Sequence, residues 1–292
     1  MLQELLAVIA PILICAGLGY AWARRGLDYP VEFVTRAVMN VGAPCLIISS
    51  FNESGIDVGR LGEIAAAAAL VLLLMMAAGA ALIRMLHLRL TTFLPSVVFA
   101  NIGNMGLPLC FFAFGETGLA LGLTVFLVVF TLQMSLGLMI VAGKVNVFDL
   151  VKQPVLWATA IAVTLVVGDW NLPLWLANTT GLLGNFTIPL MLITLGVSLA
   201  SLKVREWKHS LLFSMLRVAG GFAAGWLVAG WFGLDGIERG VLILQSSMPV
   251  AVFNYLLALK YHREPGEVAG MVVLSTLLAF IMLPMIVAYV LV

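Results

Sequence analysis

Only 10% of this 292-residue chain is charged, where soluble globular domains carry roughly 25%. Hydrophobic residues make up 63% and the mean hydropathy is +1.14, more apolar surface than a soluble fold can bury. Lipid has to be the solvent. A net charge of +1 lacks the basic footprint that holds nucleic acid, so no nucleic-acid partner is expected. The three cysteines, Cys15, Cys45 and Cys110, sit in apolar runs without metal-ligand spacing. They read as small residues packed between helices, with no disulfide framework, metal or cofactor implied. The three histidines, His87, His209 and His262, fall in loops on the side read below as cytoplasmic. There is no HExxH pair and no histidine at membrane depth to activate a serine, so no enzyme is expected. Acids are missing from the span centres: Glu63, Glu116, Asp149, Asp169, Asp235 and Glu238 lie at ends or in loops. No carboxylate proton relay or carboxylate-built sodium site is visible.

What the chain does contain is apolar windows of about 20 residues, the length that crosses a bilayer. They fall near 5–23, 31–51, 62–85, 93–115, 118–142, 153–169, 173–200, 208–232, 237–260 and 266–291, which makes ten spans with short loops. The first is a retained span, because Arg24 and Arg25 follow its apolar stretch, whereas a signal peptide carries its positive charge in front. Eleven Lys and Arg residues fall in or beside the loops after odd-numbered spans, and only Arg60 and Arg239 in the others. By the positive-inside rule, both termini face away from the cytoplasm of a cell (inner) membrane.

Five spans per half would make the halves, 1–146 and 147–292, an inverted repeat, the construction of many secondary transporters. Pro11 pairs with Pro154, Pro44 with Pro189 and Pro108 with Pro249, at offsets of 143, 145 and 141 residues. The fourth span carries "NIGNMGLPLCFFAFG", with two asparagines, three glycines and a proline where lipid favours leucine. Proline removes a donor and clashes with the preceding turn, so breaks are expected just before Pro108 and Pro249. Asn101, Asn104, Gln245, Ser246 and Ser247 can partner the freed backbone groups. Gly103 and Gly106 allow close backbone approach, and Met105 lies between them. Two half-helix amino termini meeting at the midplane would offer an anion site without a buried lysine.

At these residues the chain resembles the auxin efflux carrier family, through "NIGNMGLP" with "FGETG", and more loosely "SSMPVAVFNYLLALKY" with "STLLAF". The resemblance covers the whole chain, with the short connector "AGKVNVFDLVKQP" as in bacterial members. It implies an all-helical polytopic fold shared with bile-acid/sodium symporters. In that fold spans 1, 2, 6 and 7 form a scaffold, and spans 3–5 and 8–10 form a transport domain with broken crossing helices 4 and 9. It also implies transport of small organic anions, often carboxylates, by elevator-like movement, commonly as a homodimer. Asn101, Asn104 and Pro108 carry over as crossover residues; Pro249 and Gln245 to Ser247 match more loosely, and Gln133 in span 5 would face the crossover.

Arg217, inside span 8, reads either as an anion counter-charge or gate or as an anchor that snorkels to the cytoplasmic face. Arg36, nearer a span end, reads as snorkelling. Gly221 and Gly225 form a small-xxx-small pair for close helix packing. Sodium could bind carbonyls and hydroxyls at the crossover, with Thr124, Thr131, Ser275 or Thr276 as oxygen donors. The expected function is a secondary carrier of small organic anions. The alternatives on the same fold are a sodium-coupled symporter of the bile-acid type, an anion channel and a metabolite sensor.

Overall fold

Lipid offers no partner for a backbone N–H or C=O, so a spanning chain is confined to helices or a closed barrel. The computed structural model describes residues 2–54, 58–143, 151–168, 170–202 and 207–291. All regular structure among the described residues is helical, apart from one isolated antiparallel bridge. Lys144, Asp149, Asp169, Lys203 and Arg205, and the expected repeat junction at 146–147, lie outside the described residues.

Among the described residues, seven helices are long and apolar enough to cross a membrane: Gln3–Arg24, Val31–Asn52, Gly59–Met85, Ile102–Ala142, Leu174–Ser201, Lys208–Phe232 and Pro265–Leu291. Pro154–Val167 is apolar but has only 14 residues. The 41-residue segment Ile102–Ala142 would be about 60 Å long if straight, twice the hydrocarbon thickness. It turns instead at Gly115, whose φ of 64° and ψ of −152° suit a residue without Cβ. The expected spans near 93–115 and 237–260 are interrupted. Leu90–Val98 gives way to extended backbone at 99–101 before a new helix starts at Ile102, and Gly236–Ser246 is separated from Val252–Lys260 in the same manner.

The second break falls at Pro249 as the sequence suggests. The first does not fall at Pro108, which lies inside a helix seven residues beyond Asn101. The wide turn Ile102–Gly106 precedes it, so the missing donor is absorbed by π geometry instead of a break. The proline pairing at an offset of 141 is corrected accordingly. Ala100 bridges Val250, so the two breaks align at an offset of 150 residues.

Among the described residues, four π-helical turns interrupt the α-helices, Val38–Gly42, Ile102–Gly106, Gln133–Gly137 and Leu216–Gly220. Each ends on glycine, and for three of the four the reason is plain: a side chain at Gly42 would collide with the Thr187 hydroxyl. A side chain at Gly106 would collide with the Gln245 amide, and one at Gly137 would stand 2.9 Å from the Phe99 ring.

Leu2–Arg24 packs on Thr187–Ser201, and Pro154–Val167 packs on Ala43–Ser54. The first contact is backbone-close. A Cβ on Gly19 would strike the Ile193 carbonyl, and one on Gly196 would strike that of Ala16, the small-residue logic of membrane helix pairs. Large apolar side chains such as Trp157, Ile161, Ile281 and Met285 point outward, a surface suited to hydrocarbon.

Candidate functional site

Each break leaves carbonyls without intrahelical donors, and inside a membrane every one needs a partner. The two extended segments supply part of the answer to each other. Asn101 N–H donates to the Pro249 carbonyl at 2.7 Å, and Ala251 N–H donates to the Phe99 carbonyl at 3.2 Å. Side chains supply the rest. Asn254, 3% exposed, donates from Nδ2 to the Pro95 and Phe99 carbonyls at 3.2 and 2.9 Å, while its Oδ1 accepts from Gln133 Nε2 at 2.9 Å. The Ser275 hydroxyl accepts from Val250 N–H at 2.9 Å.

Arg217, 2% exposed, partners three more carbonyls. Its Nη1 donates to the Val97 and Val98 carbonyls at 2.7 and 3.0 Å, and its Nη2 donates to the Ser246 carbonyl. One guanidinium thus joins the carboxyl ends of both Leu90–Val98 and Gly236–Ser246, where the helix dipoles place negative charge. Its side chain reaches neither the surface nor the larger cavity described next.

The amino ends of the continuing helices open onto a different space. A cavity of about 160 Å³ is bounded by 100–104 and 251–253 from the crossing, and by Phe126, Val129, Phe130, Gln133 and Met134. Its opposite wall is Val31, Thr35, Val38 and Met39 together with Met191, Thr194 and Ser198. Among the described residues, no Asp, Glu, Lys or Arg lines it. The first N–H groups of a helix have no intrahelical acceptor, so two sets of donors and two positive dipole ends border this cavity. Asn101 adds to them: its Nδ2 is buried and has no hydrogen-bond partner among the described residues. Asn104 lines the cavity too, and its side chain makes no hydrogen bond among the described residues. Phe126 and Phe130 stack with centroids 5.6 Å apart and form an apolar wall beside these donors.

The expected site residues therefore divide. Asn101, Gly103, Asn104 and Gln133 border one cavity. Met105 and Pro108 are buried beside it in the helix core. Gln245 turns away, donating from Nε2 to the Gly122 carbonyl at 3.3 Å. Together with Ser246 and Arg217 it borders a separate void of about 20 Å³ on the carboxyl-end side. Ser246 and Ser247 hydroxyls donate back to the Leu242 and Ile243 carbonyls, both at 2.6 Å, and Pro249 supplies a crossing carbonyl. Of the proposed sodium donors, the Thr124 and Thr276 hydroxyls donate to helix carbonyls at 3.0 and 2.7 Å. Thr131 and Ser275 also lie outside the larger cavity. Among the described residues, no group of three His, Cys, Asp or Glu side chains could hold a metal.

Asn254 was missed. Its signal is the alignment of 95–104, "PSVVFANIGN", with 245–254, "QSSMPVAVFN", which matches Asn104 to Asn254 and Ser96 to Ser246. Prolines anchored at 141 hide that register.

A family model described as a membrane transport protein matches residues 141–287. An uncharacterized transporter of Methanothermobacter thermautotrophicus is 27% identical over 300 aligned residues, covering 95% of each chain. The uncharacterized transporter MJ1031 of Methanocaldococcus jannaschii is 26% identical over 188 residues, 60% of each chain.

Proposed function

This chain belongs to the membrane transport protein family, that of the auxin efflux carriers, and from that premise we propose that it is a secondary carrier of small organic anions, carboxylates above all. The observation that carries this reading is the uncharged cavity onto which two helix amino ends and the unpartnered Asn101 Nδ2 converge. Donors without a formal cation stabilise a carboxylate yet let it leave. The Phe126 and Phe130 wall suits the hydrocarbon part of such a molecule.

In this reading the chain crosses the cytoplasmic membrane ten times as two inverted repeats, 1–146 and 147–292, with both termini outside, and it pairs as a homodimer. Two reciprocal contacts support the repeat. The packing of span 1 on span 7 is the counterpart of the packing of span 6 on span 2, and the crossing segments exchange one hydrogen bond in each direction. The location of the cavity supports elevator movement, because one wall comes from spans 2 and 7 and the other from the crossing and span 5. A ligand held there lies on the boundary between the two bodies that would slide.

The test is thermal stabilisation of the purified protein by small mono- and dicarboxylates, with amines of matched size as controls. Carboxylates should raise the melting temperature and amines should not. Stabilisation by amines alone, or by neither class, would sink the anion reading.

A further inference from the structure

Three carbonyl oxygens, those of Val97, Val98 and Ser246, converge on one point inside the crossing. They come from the carboxyl ends of two half-helices, so each carries the partial negative charge of a dipole end. In membrane carriers built from interrupted helices, such carbonyls are the usual seat of a coupling sodium ion or proton. Here the seat is filled from within, by the guanidinium of Arg217.

The fit is tight. A side chain at Gly221 would collide with both the Ser246 carbonyl and the Arg217 Nη2, so this glycine keeps the space that the guanidinium occupies. Gln245 Oε1 is buried without a hydrogen-bond partner, and Gln245 borders the same small void as Arg217 and Ser246. That void, about 20 Å³, is the size of a single water molecule. Among the described residues, no carboxylate pairs with Arg217; its hydrogen-bond partners are backbone oxygens. An arginine surrounded by carbonyls is doing the electrostatic work of a bound cation.

We propose that Arg217 is a tethered cation standing in the seat of a coupling ion, so that the crossing is held together without sodium, and that removing its charge creates a binding site for a free monovalent cation. The inference does not depend on which substrate the larger cavity takes, because it concerns the opposite pole of the crossing and its readout uses no substrate.

The experiment compares purified wild type with Arg217→Ala, Arg217→Lys and Arg217→Met in choline chloride, sodium chloride and millimolar guanidinium chloride. The wild-type melting temperature should be the same with sodium as with choline, and guanidinium should not raise it. Arg217→Ala should melt lower in choline and recover in guanidinium, with partial recovery in sodium. Arg217→Lys, which keeps a positive charge, should stay above Arg217→Met in choline. If Arg217→Ala cannot be purified, the Lys and Met pair decides: Lys folded and Met lost supports the tethered cation. Lys and Met melting alike, or an alanine variant that responds to neither cation, would overturn it.

Discussion

Gln133 Nε2 donates to Asn254 Oδ1 across 2.9 Å, linking two helices 121 residues apart in sequence. The same Asn254 holds two carbonyls of the first break through Nδ2. Removing its amide should therefore cost more than removing that of Gln133. Leaving a buried polar group unsatisfied costs about 1–3 kcal/mol. Asn254→Ala, which orphans Gln133 Nε2 and takes the second donor from the Pro95 and Phe99 carbonyls, should lower the melting temperature more than Gln133→Leu. A double-mutant cycle should return a coupling of about 0.6–1.7 kcal/mol, the range of side-chain hydrogen bonds between membrane helices. Equal melting temperatures for the two single variants would contradict the assignment.

Asn104 borders the cavity but holds no other described residue, so its replacement should act on binding and spare folding. Asn104→Ala should weaken carboxylate binding roughly tenfold, about 1.4 kcal/mol. Asn104→Asp should weaken it further by placing a negative charge beside the anion. Isothermal titration together with thermal melts checks both halves. Wild-type affinity in both variants would move the anion site elsewhere.

Gly221 and Gly230 lie on one helix but in different surroundings. A Cβ at Gly221 meets the Ser246 carbonyl and Arg217, while one at Gly230 meets nothing within 4 Å. Gly221→Ala should destabilise by about 1–3 kcal/mol, the usual cost of overpacking. Gly230→Ala should be neutral or stabilising by up to about 1 kcal/mol, as helix propensity dictates. Comparable losses at both positions would mean that the close approach at Gly221 is not under constraint.

Orientation can be read by labelling. Glu116 and Lys260 are both exposed, and the charge bias puts them on opposite sides of the membrane. In a variant without native cysteines, Glu116→Cys should react with an impermeant thiol reagent added outside intact cells, and Lys260→Cys only after permeabilisation. The reverse pattern would invert the topology.

The hydrophobic windows were legible because a lipid-facing surface demands them along each span, and the Pro249 break was legible because proline there removes a donor. The break at 99–101 was not legible. No proline marks it, and what holds it open is distant: Asn254, Arg217 and the Pro249 carbonyl. The asparagines of the "NIGN" stretch stand out because an unpaired amide in a membrane needs a reason, and both border the cavity. Arg217 was read only as facing anion or water. Its third option, a partner made of helix ends, depends on two breaks coming together and has no local signature. Counting from Pro108 and Pro249 would set Gln245 against Asn104, whereas counting from the bridged pair Ala100 and Val250 sets Asn254 against it.

The four π turns have a further consequence. Each holds one residue more than an α ladder needs, and one residue advances the chain by about 100° around the helix axis. The segment beyond each turn thus presents a different face from the one its own preceding stripe would project. Along the helix from Leu107, Phe126 and Phe130 look into the cavity, Gln133 opens the turn on the same side, and at its end Gly137 lies against Phe99. Deleting a single residue from such a turn would leave a smoother, better-bonded helix and a wrongly aimed one. At these places the length of the chain aims the helix, in addition to what side chains such as Asn104, Gln133 and Arg217 do within the turns.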